Sequence, residues 1–108
     1  MAAMPGVTSD IFHAISDPTR RALLDLLAGS EQSVSALVER FDVSQPAISQ
    51  HLRVLREAGL VRERRRGRRR MYRLEPRPLR EAYDWLAHYE RLWRGKLHAL
   101  GEHLRRNP

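Results

Sequence analysis

A glycine set inside a run of arginines is the feature that most limits what this chain can fold into. Residues 62–73 read RERRRGRRRMYR, and eight of these twelve are arginine. With Glu63 as its one acid, the segment carries +7, the same formal charge as the whole 108-residue chain. The other 96 residues hold 12 basic and 12 acidic groups and are formally neutral. A block of like charge is ordinarily solvated or disordered, so a mobile basic loop is one reading. Two features favour a folded one. The run is interior, with apolar sequence on both sides, and it has a hairpin's outline: LVRERR, a lone Gly67, then RRMYRL. Gly67 takes a positive φ at no steric cost, as tight turns often need. Tyr72 and Leu74 alternate with Arg73, so one face of the second arm can be apolar and the other charged. The pattern predicts a two-stranded ribbon.

The length gives room for a single domain, residues 1–108,. Such a chain buries only a modest core, so help from a partner subunit is plausible. There is no cysteine, which excludes disulfides, thiolate catalysis and thiolate metal sites,. No stretch approaches the ~20 apolar residues of a membrane span. The opening MAAMPGVTSDIF lacks the basic-then-apolar pattern of a secretory signal,. A soluble cytoplasmic protein is therefore expected. A sequence pI of 11.1 points to an anionic partner, nucleic acid before anionic membrane,. A membrane surface is disfavoured because the basic run has no interleaved apolar anchors.

The rest of the chain reads as helices. DIFHAI at 10–15 suggests a short first one. Asp17 can cap a second, Pro18 suits its first turn, and Gly29 suits its end. Ala22, Leu23, Leu26 and Leu27 give this helix one apolar face. Ser33 caps a third helix with Val34, Leu37 and Val38 inward. After a very short break, Ser44 caps a fourth, which ends at Gly59. There Ile48, Leu52 and Leu55 share one face, and Pro46, Ser49, Gln50, Arg53 and Glu57 cluster on the opposite one. After EPRP, one long last helix is expected, with Leu79, Tyr83, Leu86, Trp93, Leu97, Leu100 and Leu104 spaced mostly by three, four or seven. About 26 residues make roughly 39 Å of helix. That outruns so small a domain. The stripe, with its two tryptophans Trp85 and Trp93, is expected to pack against another chain. Packing on its own core is the alternative.

Two short helices joined by a tight turn make a helix-turn-helix. Its second member is the reader, since an α-helix fits the major groove of B-DNA. Gln50 can pair two ways with adenine, and Arg53 likewise with guanine. Ser49 can meet a base or a phosphate. Ser44 and Gln45 lie at the helix N-terminus, which favours a phosphate. A solvated polar face is the ordinary alternative, and the ribbon tips the balance. A basic hairpin directly after the reader helix makes a wing. Its arginines, Arg62, Arg64, Arg65, Arg66, Arg68, Arg69 and Arg70, are expected on the phosphate backbone or in a narrow minor groove.

The runs DPTRRALLDLL, VSQPAISQHLRVLREAGLV and RRRGRRRMYRL resemble the ArsR/SmtB family of bacterial winged-helix repressors over about residues 10–80, in order and with matching spacing. The resemblance implies a mainly α fold with a β-hairpin wing, a homodimer built from the first and last helices, and repression through a partly palindromic double-stranded DNA operator. It assigns reader positions to Ser44, Gln45, Pro46, Ser49, Gln50 and Arg53, and the wing to 62–73. The dimer seam is expected to use Leu79, Tyr83, Leu86, Trp93, Leu97 and Leu100. His51 belongs to the same motif and has two readings, a phosphate hydrogen bond or a place at the core's edge.

Many relatives sense metals. The helix before the turn, SVSALVERF, has no thiol, so the cysteine site is absent. On the last helix Asp84, His88, His98 and Glu102 suit Zn²⁺ by chemistry, but D-x3-H-x9-H-x3-E departs from the family's pattern at every spacing. No metal or other cofactor is expected; a metal-responsive repressor is the runner-up. No enzymatic constellation is present. A non-specific nucleic-acid binder is the rival from another class, and the hydrogen-bonding outer face of the reader helix argues against it.

Overall fold

The computed structural model describes residues 9–106, apart from the side chains of Ser9 and Leu97. Seven of its elements come first: α1 (Ser9–Ile15), α2 (Pro18–Gly29), β1 (Gln32–Ser33), α3 (Val34–Val38), α4 (Gln45–Glu57), β2 (Val61–Arg66) and β3 (Arg69–Leu74). Two helices follow, α5 (Arg77–Ala87) and α6 (Glu90–Arg106). This is a mainly α fold with a β-hairpin wing, a winged helix-turn-helix. None of its described helices is long and apolar enough to cross a membrane.

The caps read from the sequence are in place. The Asp17 carboxylate accepts from the Arg20 amide at 3.0 Å, the Ser33 hydroxyl from Ala36 at 3.1 Å, and the Ser44 hydroxyl from Ala47 at 3.3 Å. Each satisfies an amide that the helix itself leaves unpaired. Helix α4 ends in a Schellman turn. Gly59 sits at φ +78°, its amide donates to Arg56 O, and the Leu60 amide donates to Leu55 O, both at 2.9 Å,. The chain then enters β2 directly, so the wing springs from the reader helix with almost no slack.

The core lies where α2, α3 and α4 meet the base of the wing. Leu23, Leu37, Ile48, Leu52, Leu55, Leu60, Val61 and Tyr72 are fully buried, and Leu24, Leu27 and Val34, together with Ile11 and Ala14 of α1 and Ala82 of α5, complete the cluster. On α2 the buried apolar set is Leu23, Leu24 and Leu27, while Ala22 and Leu26 are only half-buried. The expected face of this helix is therefore rotated toward Leu24.

The ribbon has a third strand. β3 is central, pairing antiparallel with β2 (Val61↔Leu74 to Arg66↔Arg69) and with β1 (Gln32↔Tyr72, Ser33↔Met71). Gly67 and Arg68 close the hairpin, and Gly67 takes φ +64° at the first turn position. That is where a type II′ turn needs a glycine.

The single long helix expected over 79–104 is two helices. Its break falls at His88 and Tyr89. The Trp85 carbonyl, which would accept from Tyr89 in a continuous helix, instead takes the His88 amide at 3.2 Å and His88 Nδ1 at 3.0 Å. The Tyr89 amide turns to Leu86 O at 2.9 Å. Trp85 is held by edge-to-face packing between Phe12 of α1 (5.9 Å) and Tyr89 (5.4 Å). Trp85 and Leu79 therefore pack on their own domain's core, whereas the sequence put both on the outward stripe. Tyr83, Leu86, Trp93, Leu100 and Leu104 are exposed, and so are Tyr89 and Leu92. Among the described residues, none of the core cluster comes from α6. The Leu97 side chain, expected in the seam, lies outside the described residues.

Candidate nucleic-acid interface

Helix α4 presents the face the sequence assigned to it. Gln45, Pro46, Gln50 and Arg53 are exposed, Ser49 is half-buried, and Ile48, Leu52 and Leu55 hold the opposite face in the core. Ser44 precedes the helix, exposed and engaged as its cap. Arg53 Nε donates to Glu57 Oε1 at 3.0 Å, with both side chains 63% exposed. An exposed pair of this kind is weak, so Arg53 can exchange it for a base edge.

His51 turns away from that face. Its Nδ1 lies 3.3 Å from Arg20 Nη1 and 4.0 Å from Asp17 Oδ2. Arg20 is buried, and it donates from Nε to Ala14 O (2.7 Å) and from Nη2 to His13 O (3.0 Å). The guanidinium has no acceptor, so Nδ1 accepts from it and the ring is held at the core's edge. One guanidinium thus ties the end of α1 to the middle of α4. Asp17 beside it has its pKa lowered, first by the hydrogen bond from the Arg20 amide.

The wing's arginines fall into two sets. One face of the hairpin carries Val61, Glu63, Arg65, Arg70, Tyr72 and Leu74 and is turned to the domain; the other carries Arg62, Arg64, Arg66, Arg69, Met71 and Arg73. Arg62 donates to Glu75 at 2.9 Å, and Arg64 grips Glu31 with two bonds of 2.7 and 2.6 Å. Arg70 donates to Glu63 at 3.0 Å and to the Tyr72 hydroxyl at 2.8 Å. Among the described residues no hydrogen bond or ion pair holds Arg65, Arg66, Arg68, Arg69 or Arg73. Like charges directly opposite, as in Arg66↔Arg69, are destabilising,. At the tip no carboxylate is hydrogen-bonded or ion-paired to either arginine among the described residues, although the Glu31 charge is felt at Arg66.

The carboxylates respond to these partners. The Arg64 hydrogen bond holds Glu31 below the usual glutamate pKa. Glu63 is also held low, chiefly by the hydrogen bond from Tyr72 and then by Arg70. Burial pushes the Tyr72 phenol up, and Glu63 adds to that.

Reader helix and wing meet in one cleft, lined by Gln45 at the start of α4, Arg68, Arg69 and Arg70 of the wing, and Ser33, Val34 and Ser35 at the start of α3. The sequence reading had Ser33 only as a helix cap and did not place Ser35 here; α3 delivers both through β1, while Arg73 lies on the charged face that strand alternation assigned to it. Of the metal candidates, considered as a site shared across a dimer, one chain brings together only His98 and Glu102 among the described residues. Asp84 pairs with Arg80 (3.3 Å), His88 with the Trp85 carbonyl, and His98 lies 3.9 Å from Glu102, which also holds Arg105 at 2.7 Å. Among the described residues no three His, Asp or Glu side chains form a metal-binding group.

A helix-turn-helix with a basic wing locked to its second helix is the geometry of a DNA-binding regulator, and known proteins share it. Residues 17–63 match the family described as bacterial regulatory protein, arsR family. The transcriptional repressor SdpR of Bacillus subtilis is 37% identical over 81 residues, 75% of this chain and 90% of that protein. The chain belongs to the ArsR family. An arsenical resistance operon repressor of Staphylococcus xylosus is 41% identical to this ArsR-family chain over 61% of its length and 64% of the relative's. A crystal structure of an ArsR family transcriptional regulator superposes with a TM-score of 0.75 at 36% identity, covering 87% of this chain and 97% of that one. The chain is accordingly a DNA-binding transcriptional regulator, in a family of regulators rather than enzymes.

Proposed function

We propose that this ArsR-family chain is a cytoplasmic repressor that works as a single-domain homodimer on a partly palindromic operator. Helix α4 enters the major groove, with Gln50 and Arg53 reading base edges and Ser44, Gln45, Pro46 and Ser49 seating it. The wing tip grips the flanking phosphates. The observation that carries this reading is the cleft in which Gln45 and the tip arginines converge, with Arg65, Arg66, Arg68 and Arg69 unpartnered among the described residues. Arginines left without a carboxylate are the ones free to neutralise phosphate. The homodimer is supported by the exposed apolar side chains of α5 and α6, where Tyr83 is 65% and Trp93 58% exposed. Selection of bound sequences from a random duplex pool tests the reading. An inverted repeat whose half-sites lie about one helical turn apart, or a multiple of it, is expected. Recovery of unrelated sequences would favour a non-specific binder.

A further inference from the structure

We propose that Glu63, the lone acid of the arginine run, is a positioning residue for DNA recognition that sets the angle between the wing and the reader helix. The inference rests on the reading that both elements engage one duplex. Glu63 Oε2 accepts from the Tyr72 hydroxyl at 2.5 Å and from Arg70 at 2.8 Å, and lies 3.7 Å from Arg56 Nη1. Tyr72 is fully buried, so this end of the network is fixed in the core. Arg70 is on the second wing strand and Arg56 in the last turn of α4. One carboxylate oxygen therefore joins the core, the wing and the reader helix, across the short turn around Gly59 that forms the joint between them. It also relieves the like-charge opposition of Arg65 and Arg70,.

Long-range electrostatics argues the other way. A carboxylate in a segment of +7 lowers the attraction for a polyanion,. The two accounts predict opposite signs when the charge is removed, which makes the proposal sharp. If Glu63 were only a stray negative charge, Glu63→Gln would tighten binding to every duplex. If it positions the wing, the gain applies to random DNA alone. Freed Arg70 and Arg56 then reach phosphates without register, and recognition of the operator suffers.

The test uses the full chain, the selected operator and a random duplex of equal length, over a salt series, with thermal melting as a control for folding. For Glu63→Gln we expect random-duplex binding to hold or tighten, its salt slope steepening by about 0.9 for each phosphate newly met. The operator-over-random ratio should fall by about tenfold as the ion pairs of Glu63 with Arg70 and Arg56 are lost,. Glu63→Asp keeps the charge on a shorter side chain, and Tyr72→Phe removes only the hydroxyl. Both should lower the ratio without changing the slope, and they carry the test if Glu63→Gln melts below the assay temperature. Equal tightening on both duplexes, or a Glu63→Asp protein indistinguishable from wild type, would overturn the proposal while leaving the regulator reading intact. A wild-type chain with no operator preference would sink both.

Discussion

Replacing Arg65, Arg66, Arg68 and Arg69 by alanine removes the four tip arginines that no carboxylate holds, and should strip the wing of its phosphate contacts. If each meets one phosphate, the slope of log K against log salt falls by about 0.9 per arginine, or about 3.6 per wing. Between 50 and 200 mM salt, wild type should then lose about a hundredfold more affinity per wing than the variant does. The paired control is Arg62→Ala, Arg64→Ala and Arg70→Ala. These arginines are already bonded to Glu75, Glu31 and Glu63, so their loss should change the slope far less. It should instead lower the melting temperature, because the anchors of the wing are gone. Fluorescence anisotropy on operator and random duplex at several salt concentrations reads both sets. Equal slope changes for the two sets would refute the division of labour. An unchanged slope in the tip variant would mean that the wing does not meet DNA.

Three further outcomes follow from other parts of the molecule. Gln50→Ala and Arg53→Ala should each cost about 1–3 kcal/mol of discrimination between operator and random duplex if the contacts are bidentate, measured by competition, with little change on random DNA. Sedimentation at micromolar concentration should give twice the chain mass, and Trp93→Glu should shift it toward monomer by placing a charge in an apolar seam; a folded wild-type monomer would contradict this. Glu31 and Glu63 both have pKa values lowered in the fold, so their stabilisation is complete above the ordinary glutamate value of 4.5 and is lost as pH falls below it,. Melting curves between pH 6 and 3 should therefore flatten in Glu31→Gln, and a variant as acid-sensitive as wild type would count against the Arg64 clamp.

What was legible in the sequence was what depends on neighbours. Asp17, Ser33 and Ser44 could be read as caps because a cap acts on an amide three residues away. Gly59 and Gly67 could be read as turn residues because positive φ is a property of the residue itself. The face of α4 followed from helical period. Strand β1 escaped because two residues carry no periodicity. The break at His88 escaped because it depends on a local competition for the Trp85 carbonyl and on Trp85 being held by Phe12, across the domain. The place of His51 depended on Arg20, 31 residues earlier. A residue's partners at that distance leave no trace in spacing.

The same limit explains why the wing looked uniform. By composition its arginines are interchangeable, and only the fold distinguishes them. Glu31 arrives from the loop after α2, 33 residues before the arginine it binds, and Glu75 from just beyond β3. Glu63 stands on β2 opposite Tyr72, and no acid occupies the turn at Gly67 and Arg68. The carboxylates thus bind Arg62, Arg64 and Arg70, and among the described residues leave Arg65, Arg66, Arg68 and Arg69 around the turn, with Arg73 at the base, outside any hydrogen bond or ion pair. A wing with the same composition but with its acids at the tip would have the same net charge and pI, yet would present anchors where phosphates are to be met. On the proposed reading, it is the distribution of compensation along the hairpin, rather than the arginine count, that fits this segment to grip DNA.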